Sequence, residues 1–242
     1  MTNRKKKHPA LRAVRNILLI IFAFCITAAG VVTLRGYWMY TSALEQKPIL
    51  EAAGEVRSRE GFTPLGLLPD TYLDAVVAAE DHRFYEHGGV DCIAIGRALY
   101  NDIRTLSFAE GGSTITQQLA KNLYFTQEKE LTRKVAEVFM AWDLESCLSK
   151  EEILELYVNS IYFGSGCYCV GDASRAYFGK EPSEMNGYES TLLAGIPNAP
   201  SVYDLNENPD LASQRQRQVV GLMVKYGGLS PEDAGLLLCS AQ

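Results

Sequence analysis

The chain has 242 residues, 47% of them hydrophobic and 21% charged, with 20 Gly and 9 Pro. That length carries one large domain or two small ones around a real core, and the composition excludes disordered, collagen-like and low-complexity chains. Of 23 Lys and Arg, six fall in residues 1–15 without any acid, leaving 17 bases against 29 acids elsewhere, so the remainder carries −12 and lacks the basic face a general nucleic-acid binder needs.

Residues 1–15 predict a cytoplasmic basic tail. From Asn16 to Leu34 no residue is charged over 19 positions. At about 1.5 Å per residue a helix there spans roughly the hydrocarbon thickness of a bilayer. A cleaved signal peptide is the alternative, with Thr27-Ala28-Ala29 as its small-residue site. The apolar run continues past that site to Leu34, which favours a transmembrane anchor over residues 16–35. Cations before the span place the N-terminus in the cytoplasm and residues 36–242 outside, by the positive-inside rule.

Cys25 lies in the span, and Cys92, Cys147, Cys167, Cys169 and Cys239 are an odd number outside it. Cys167-x-Cys169 is too close for an easy disulfide, and no Cys/His set has zinc spacing, so no structural metal is assigned.

Residues 36–56 are expected to form a juxtamembrane linker, and Arg57 to Pro69 a short strand or loop. Helical periodicity then dominates. Asp70 is a candidate N-cap for a helix carrying Leu73, Val76 and Val77. Leu131, Val135, Val138, Phe139 and Trp142 form an apolar stripe, Ser149 and Glu152 a capping box, and Ser230-Pro231-Glu232 a final helix start. The expected architecture is one mainly α domain over residues 57–240, on a stalk and an anchor.

Four clusters carry chemistry-bearing residues. In the first, Glu80-Asp81-His82-Arg83-Phe84-Tyr85-Glu86-His87, Glu80 ends the apolar face of its helix. A carboxylate there loses hydration, and its raised pKa suits proton transfer near neutral pH. The alternative is a helix end with Glu80 tilted to solvent. In the second, Gly111-Gly112 feeds a helix that Thr114 and Gln117 can cap, with Thr114, Gln118 and Lys121 on one face. Free backbone N–H groups, hydroxyls and one ammonium would suit a phosphate, and an ordinary capped helix explains the pattern equally well. The third places Arg133 and Glu137 four apart, away from the apolar stripe: a surface ion pair, or a carboxylate kept among cations beside a polyanionic ligand. In the fourth, Lys150 to Gly164, a packed helix accounts for all but Asn159 and Gly164.

These segments, in this order, resemble the glycosyltransferase family 51 domain of peptidoglycan polymerases. EDHRFYEH, GGSTITQQLAKN, RKVAE and KEEILELYVNSIYFG match its four motifs, with ASRAYFGK and LLAGIPNAPSVYD after them. No Ser-x-x-Lys acylation motif is evident, so the likeness is to the monofunctional type. The resemblance implies a lysozyme-like, two-lobed helical domain around a cleft near the membrane. It implies polymerisation of lipid II onto a growing glycan chain, with release of undecaprenyl pyrophosphate.

By position in the motifs, Glu80 matches the family's general base and Glu137 its second acid. Ser113, Thr114, Gln117, Gln118, Lys121, Arg133 and Lys134 fall on residues lining the donor and pyrophosphate region. Lys129 falls in the same pyrophosphate-binding set, where relatives often carry an arginine that contacts the pyrophosphate, so a lysine there loses bidentate recognition. Asp81, Phe84, His87 and Asn159 belong to the motifs without an assigned step. Cys169 and Gly171 depart from a common glycine and a common glutamate. No cofactor is required by this resemblance, and a divalent cation, Mg or Mn, is an optional aid to the pyrophosphate. The implied partners are lipid II, the glycan chain, the bacterial cell membrane and other cell-wall synthesis proteins. A membrane-anchored lytic glycosidase and a non-catalytic cell-wall scaffold are the rival expectations.

Overall fold

The computed structural model describes residues 9–105, 112–125 and 131–239, and among these the architecture is mainly α, without strands. Helix α1 runs unbroken from Pro9 to Gln46. Its 38 residues extend about 57 Å, nearly twice the hydrocarbon thickness of a bilayer. The stretch from Arg12 on is long and apolar enough to cross a membrane, and its apolar window is unburied. One helix therefore has length both to span and to reach the domain.

Its last third packs on the domain. Tyr37 and Tyr40 meet Phe139 at ring-centroid distances of 5.3 and 5.7 Å, and Tyr40 donates to Asp143. Gly36 lies so close to the helix bearing Val135 that a Cβ there would sit 2.6 Å from that of Val135. Helix α2 (Ile49–Arg57) follows, with Ile49, Ala52, Ala53 and Val56 buried. The expected juxtamembrane linker, residues 36–56, is thus part of the folded body. Glu45, Lys47, Glu51 and Glu55 give it a linker's polarity, but Glu51 and Glu55 lie on the outer face of α2, an amphipathic helix.

A 3-10 turn at Leu65–Leu67, rather than a strand, leads to α3 (Asp70–Glu80). Asp70 is the first residue inside α3, not its cap. Pro69 occupies the cap position with φ −60°, and Asp70 instead complements the helix dipole from the first turn. Helices α4 (Cys92–Thr105), α5 (Ile115–Tyr124), α6 (Leu131–Cys147) and α7 (Lys150–Val158) come next. They are followed by α8 (Val170–Phe178), α9 (Gly187–Gly195), α10 (Pro209–Lys225) and α11 (Pro231–Cys239). The Ser149 capping box forms as expected: Ser149 Oγ accepts from Glu152 N at 3.2 Å and Glu152 Oε2 from Ser149 N at 2.9 Å. An N-terminal cap of this kind is worth about 1 kcal/mol.

One core joins α3, α5, α6 and α7 through Tyr72, Ile115, Leu119, Met140 and Leu154, all fully enclosed, and extends to α9 and α10. No described side chain of α4 enters it, and Ile93, Ile95 and Tyr100 are exposed there.

Helix α6 corrects the expected polarity. The stripe Leu131–Trp142 is its outer side, with Leu131 and Trp142 exposed and Phe139 against α1. The core face is Ala136, Met140, Ala141 and Leu144. Pinned between α1 and α5, the helix has two apolar sides, and the longer side chains dominate the pattern from the outer one.

Candidate active site

Helix α3 ends at Glu80 because the next residue leaves helical geometry, Asp81 having φ −159° and ψ 73°. The Asp81 carboxylate then holds two segments at once. Oδ1 lies 2.9 Å from His87 Nε2, and Oδ2 accepts from Ile115 N at 3.1 Å. Phe84, fully buried, closes the turn by donating its N–H to Asp81 O at 2.9 Å. Asp81, Phe84 and His87 therefore brace the end of α3 against the start of α5. Asp91 stands nearby, and one ligand atom each from Asp81, His87 and Asp91 lie within 4.8 Å of one another. The Asp91 carboxylate is committed elsewhere: Oδ1 accepts from Ile93 N and Ala94 N, and Oδ2 pairs with Arg83 at 3.3 Å.

The start of α5 is self-satisfied. Thr114 Oγ1 accepts from Gln117 N at 3.1 Å, Gln117 Oε1 accepts from Thr114 N at 3.1 Å, and Thr114 donates to Gly89 O at 2.7 Å. Thr114 and Gln117 are buried in this box and do not line the cavity described below, unlike their expected place beside the donor. The N–H groups of Ile115 and Gln117 are also taken, the first by Asp81. The Thr114, Ile115 and Gln117 amides at the helix terminus are therefore occupied, and the positive groups that line the cavity are side chains.

The next turns of α5 face an open cavity of about 360 Å³. Glu80, Gln118 and Lys121 line it together with Ser113, Lys134 and Glu137, and Arg133 completes the cationic part of the wall. Glu80 Oε2 accepts from Gln118 Nε2 at 2.7 Å, and Gln118 Oε1 accepts from the buried Tyr157 hydroxyl at 3.3 Å. Glu80 Oε1 is buried without a hydrogen-bond partner among the described residues. Desolvation raises the Glu80 pKa above its ordinary value, against the opposing pull of the Gln118 hydrogen bond and of Arg215 and Lys121. A desolvated carboxylate with one free oxygen is equipped to accept a proton.

Glu137, only 2% exposed, is not a surface pair. Its Oε1 lies 2.8 Å from Arg133 Nε and its Oε2 2.8 Å from Lys134 Nζ, which also donates to Ser113 Oγ at 2.6 Å. Lys121 has its pKa lowered, first by desolvation and then by Arg133 and Lys134, with Glu137 and Glu80 opposing. Three cations thus converge where an anionic group can exchange its hydration for fixed charges.

Of the other expected residues, Asn159 is fully buried and does not line the cavity. It accepts from Thr63 N at 2.8 Å and donates to Thr63 O at 2.9 Å, fastening the segment before α3 to the end of α7. Lys129 lies outside the described residues. Sequence reasoning did not single out Tyr157, Pro197, Asn198 or Arg215. Pro197 and Asn198, which line the cavity, were visible only as members of the matched segment LLAGIPNAPSVYD, and Tyr157 as another aromatic on a packed helix.

A Cupriavidus necator protein described as a transglycosylase is 42% identical over 191 residues, covering 78% of this chain and 81% of that protein. Penicillin-binding protein 1F of Bacillus subtilis is 40% identical over 202 residues, covering 78% of this chain. Penicillin-binding protein 1A of Neisseria meningitidis is 39% identical over 222 residues, covering 85%. The chain spans 28% of the length of each of these two penicillin-binding relatives. A family model described as transglycosylase matches residues 46–224, a range that takes in α2 along with every cavity residue named above. With the motifs, the helical body and that match in agreement, the chain belongs to the transglycosylase family.

Proposed function

We propose that the chain is a peptidoglycan glycosyltransferase that polymerises lipid II. One observation carries this reading: a desolvated carboxylate with a free oxygen, Glu80, shares a cavity with three cations. The donor's pyrophosphate sits against Lys121, Arg133 and Lys134, with the Ser113 hydroxyl beside them. Glu80 Oε1 takes the proton from the C4 hydroxyl of the acceptor N-acetylglucosamine as that oxygen attacks C1 of the donor N-acetylmuramic acid. The C1–oxygen bond to pyrophosphate breaks, the electron pair leaves with undecaprenyl pyrophosphate, and the α linkage inverts to β-1,4. Gln118, held by Tyr157, orients the base. Glu137 positions Arg133 and Lys134. Mg or Mn is an optional aid here, because the side chains themselves bring three positive charges.

In this reading α1 crosses the bacterial cell membrane once, with the basic tail in the cytoplasm and the domain outside, beside its lipid-linked substrate. The deciding experiment incubates the purified chain with labelled lipid II and separates the products. Polymer that disappears in Glu80→Gln supports the proposal. Cleavage of preformed glycan without polymer makes the chain a lytic glycosidase, and no conversion in either assay leaves a scaffold. Protection of the domain from protease added to spheroplasts would overturn the orientation.

A further inference from the structure

Helix α6 carries two commitments on opposite sides. Gly36 of α1 is buried against it, where a Cβ would stand 2.6 Å from that of Val135 and 2.8 Å from Thr132 O. Further along, Tyr37 and Tyr40 meet Phe139, and Tyr40 donates to Asp143. At about 100° per residue, Thr132, Val135, Phe139 and Asp143 share one side of α6, and the midpoint of Arg133, Lys134 and Glu137 lies about 160° from theirs. The helix is thus a plate, with α1 on one face and the cationic wall on the other.

The contact begins where the apolar run stops. Up to Leu34 nearly every large apolar side chain of α1 is exposed, Arg35 brings the first charge since Arg15, and Gly36 is the first buried residue among the described ones. Gly36 therefore sits two residues, or about 3 Å of helical rise, beyond the uncharged run. The polar layer of one leaflet is about 5–7 Å deep, so Arg133 and Lys134, which lie between Thr132 and Val135 in the chain, start from within it. A pyrophosphate on a polyprenyl tail is confined to the same layer, its charge excluded from hydrocarbon and its tail from water. Nothing between the span and the contact acts as a hinge, because α1 is helical without a break from Pro9 to Gln46.

We propose that α1 is a rigid strut whose seating on α6 at Gly36 sets the height of the cationic wall at the headgroup layer. Gly36 is a positioning residue: it acts through α6 and touches no substrate. This rests on the polymerase reading above and on α1 crossing the membrane, and adds what fixes the distance between the two. Close approach, not turn geometry, requires the glycine, since any side chain there pushes α1 off Val135 and the Thr132 carbonyl.

The test lifts the domain without touching the cavity. A seven-residue polar helical insertion between Leu34 and Arg35 keeps the seat on α6 and raises the domain by about 10 Å. With the full chain reconstituted in phosphatidylglycerol vesicles containing lipid II, turnover should fall by about 10²-fold, the scale of a displaced ligand site. Seven Gly and Ser residues at the same point let the domain settle back and should recover most of that loss. Gly36→Leu should lose severalfold in vesicles. On a water-soluble lipid II analogue with a short tail all three should match the parent, which shows that they fold. Parental turnover of the helical insertion in vesicles would overturn the strut, as would equal losses in the helical and Gly/Ser forms, or equal losses on vesicle-borne and soluble substrate. Depth gives a readout without activity. After Trp142→Phe, the exposed Trp38 is the one tryptophan left, and lipids brominated near the headgroup should quench it in the parent length and not in the helical insertion. No quenching at the parent length would overturn the strut. Quenching there in a chain that makes no polymer from either substrate would sink the polymerase reading and leave the strut standing.

Discussion

The two acids of the cavity are both withdrawn from water, yet they are compensated in opposite ways. Glu80 has a neutral amide on one oxygen and, among the described residues, no partner on the other. Glu137 has a guanidinium on one oxygen and an ammonium on the other, both at 2.8 Å. Burial without compensation lifts a carboxylate's proton affinity, which a base needs. Burial beside two cations makes a fixed unit that keeps a net positive charge, which can be offered to an anionic ligand. Two glutamates in one wall are thus given different chemical character by their neighbours.

The comparison breaks first at the acids themselves. Glu80→Gln keeps the shape and removes the basicity, so polymerisation should fall by about 10²–10⁴. The rate in the parent should rise with pH as Glu80 deprotonates, with a midpoint above the ordinary carboxylate value, and the variant's residual rate should lack that limb. Stability should move the other way. A raised carboxyl pKa in the folded state favours folding at low pH, and that contribution is lost as pH rises through the folded value. Glu80→Gln should therefore melt higher than the parent at pH 7, and the gap should close towards the acid side of that folded value. A variant that melts lower at pH 7 would show that Glu80 is not a desolvated, uncompensated charge.

Glu137→Gln should do the reverse at neutral pH. It leaves Arg133 and Lys134 beside a partner that no longer carries charge, and because both line the open cavity, with Lys134 44% exposed, the loss is about 1–3 kcal/mol. For a domain of this size that lowers Tm by roughly 5 °C in a thermal melt. Opposite signs for the two Glu→Gln changes are the sharpest form of the comparison, and equal signs would dissolve it.

Lys121 tests the cationic side. Charged hydrogen bonds of the kind it offers a pyrophosphate are worth roughly 1.5–3 kcal/mol, so Lys121→Ala should slow turnover by about one to two orders of magnitude. Its lowered pKa predicts that the rate falls again at alkaline pH, as the ammonium loses its proton. Lys121→Arg should move that falling limb upward in a pH–rate profile while recovering part of the rate. An alkaline limb unchanged in Lys121→Arg would place the titration on another group.

Much of this was readable in the sequence wherever the determinant was local. The α7 capping box, the start of α11 and the apolar face of α3 needed only residues three or four apart. What escaped was set by distant partners. Nothing near Thr114 says that the α5 terminus is already filled by Asp81, 34 residues away from Ile115 in the chain. The stripe on α6 was seen, but not that it faces α1, which turned Glu137 from a surface acid into a buried one. In residues 36–56 the charges masked four small or branched residues at core spacing. Tyr157 carried no signal at all, because its hydroxyl matters only through Gln118.

That last contact gives the smallest expected effect and the finest test of the Glu80 environment. Tyr157→Phe preserves the buried ring and deletes one hydroxyl, whose bond to Gln118 at 3.3 Å is long. A hydrogen bond of this kind contributes about 0.5–1.5 kcal/mol, so the rate should fall severalfold at most. The direction in pH is more telling than the size. Gln118 donates to the Glu80 carboxylate and holds its pKa down against desolvation. A less firmly held amide donates less well, so the Glu80 pKa should climb and the rising limb of the pH–rate profile should move to higher pH. Turnover measured well above that limb should then nearly match the parent, since the base is again ionised. If Tyr157→Phe instead lowers the plateau and leaves the limb in place, Gln118 acts on the substrate rather than on Glu80.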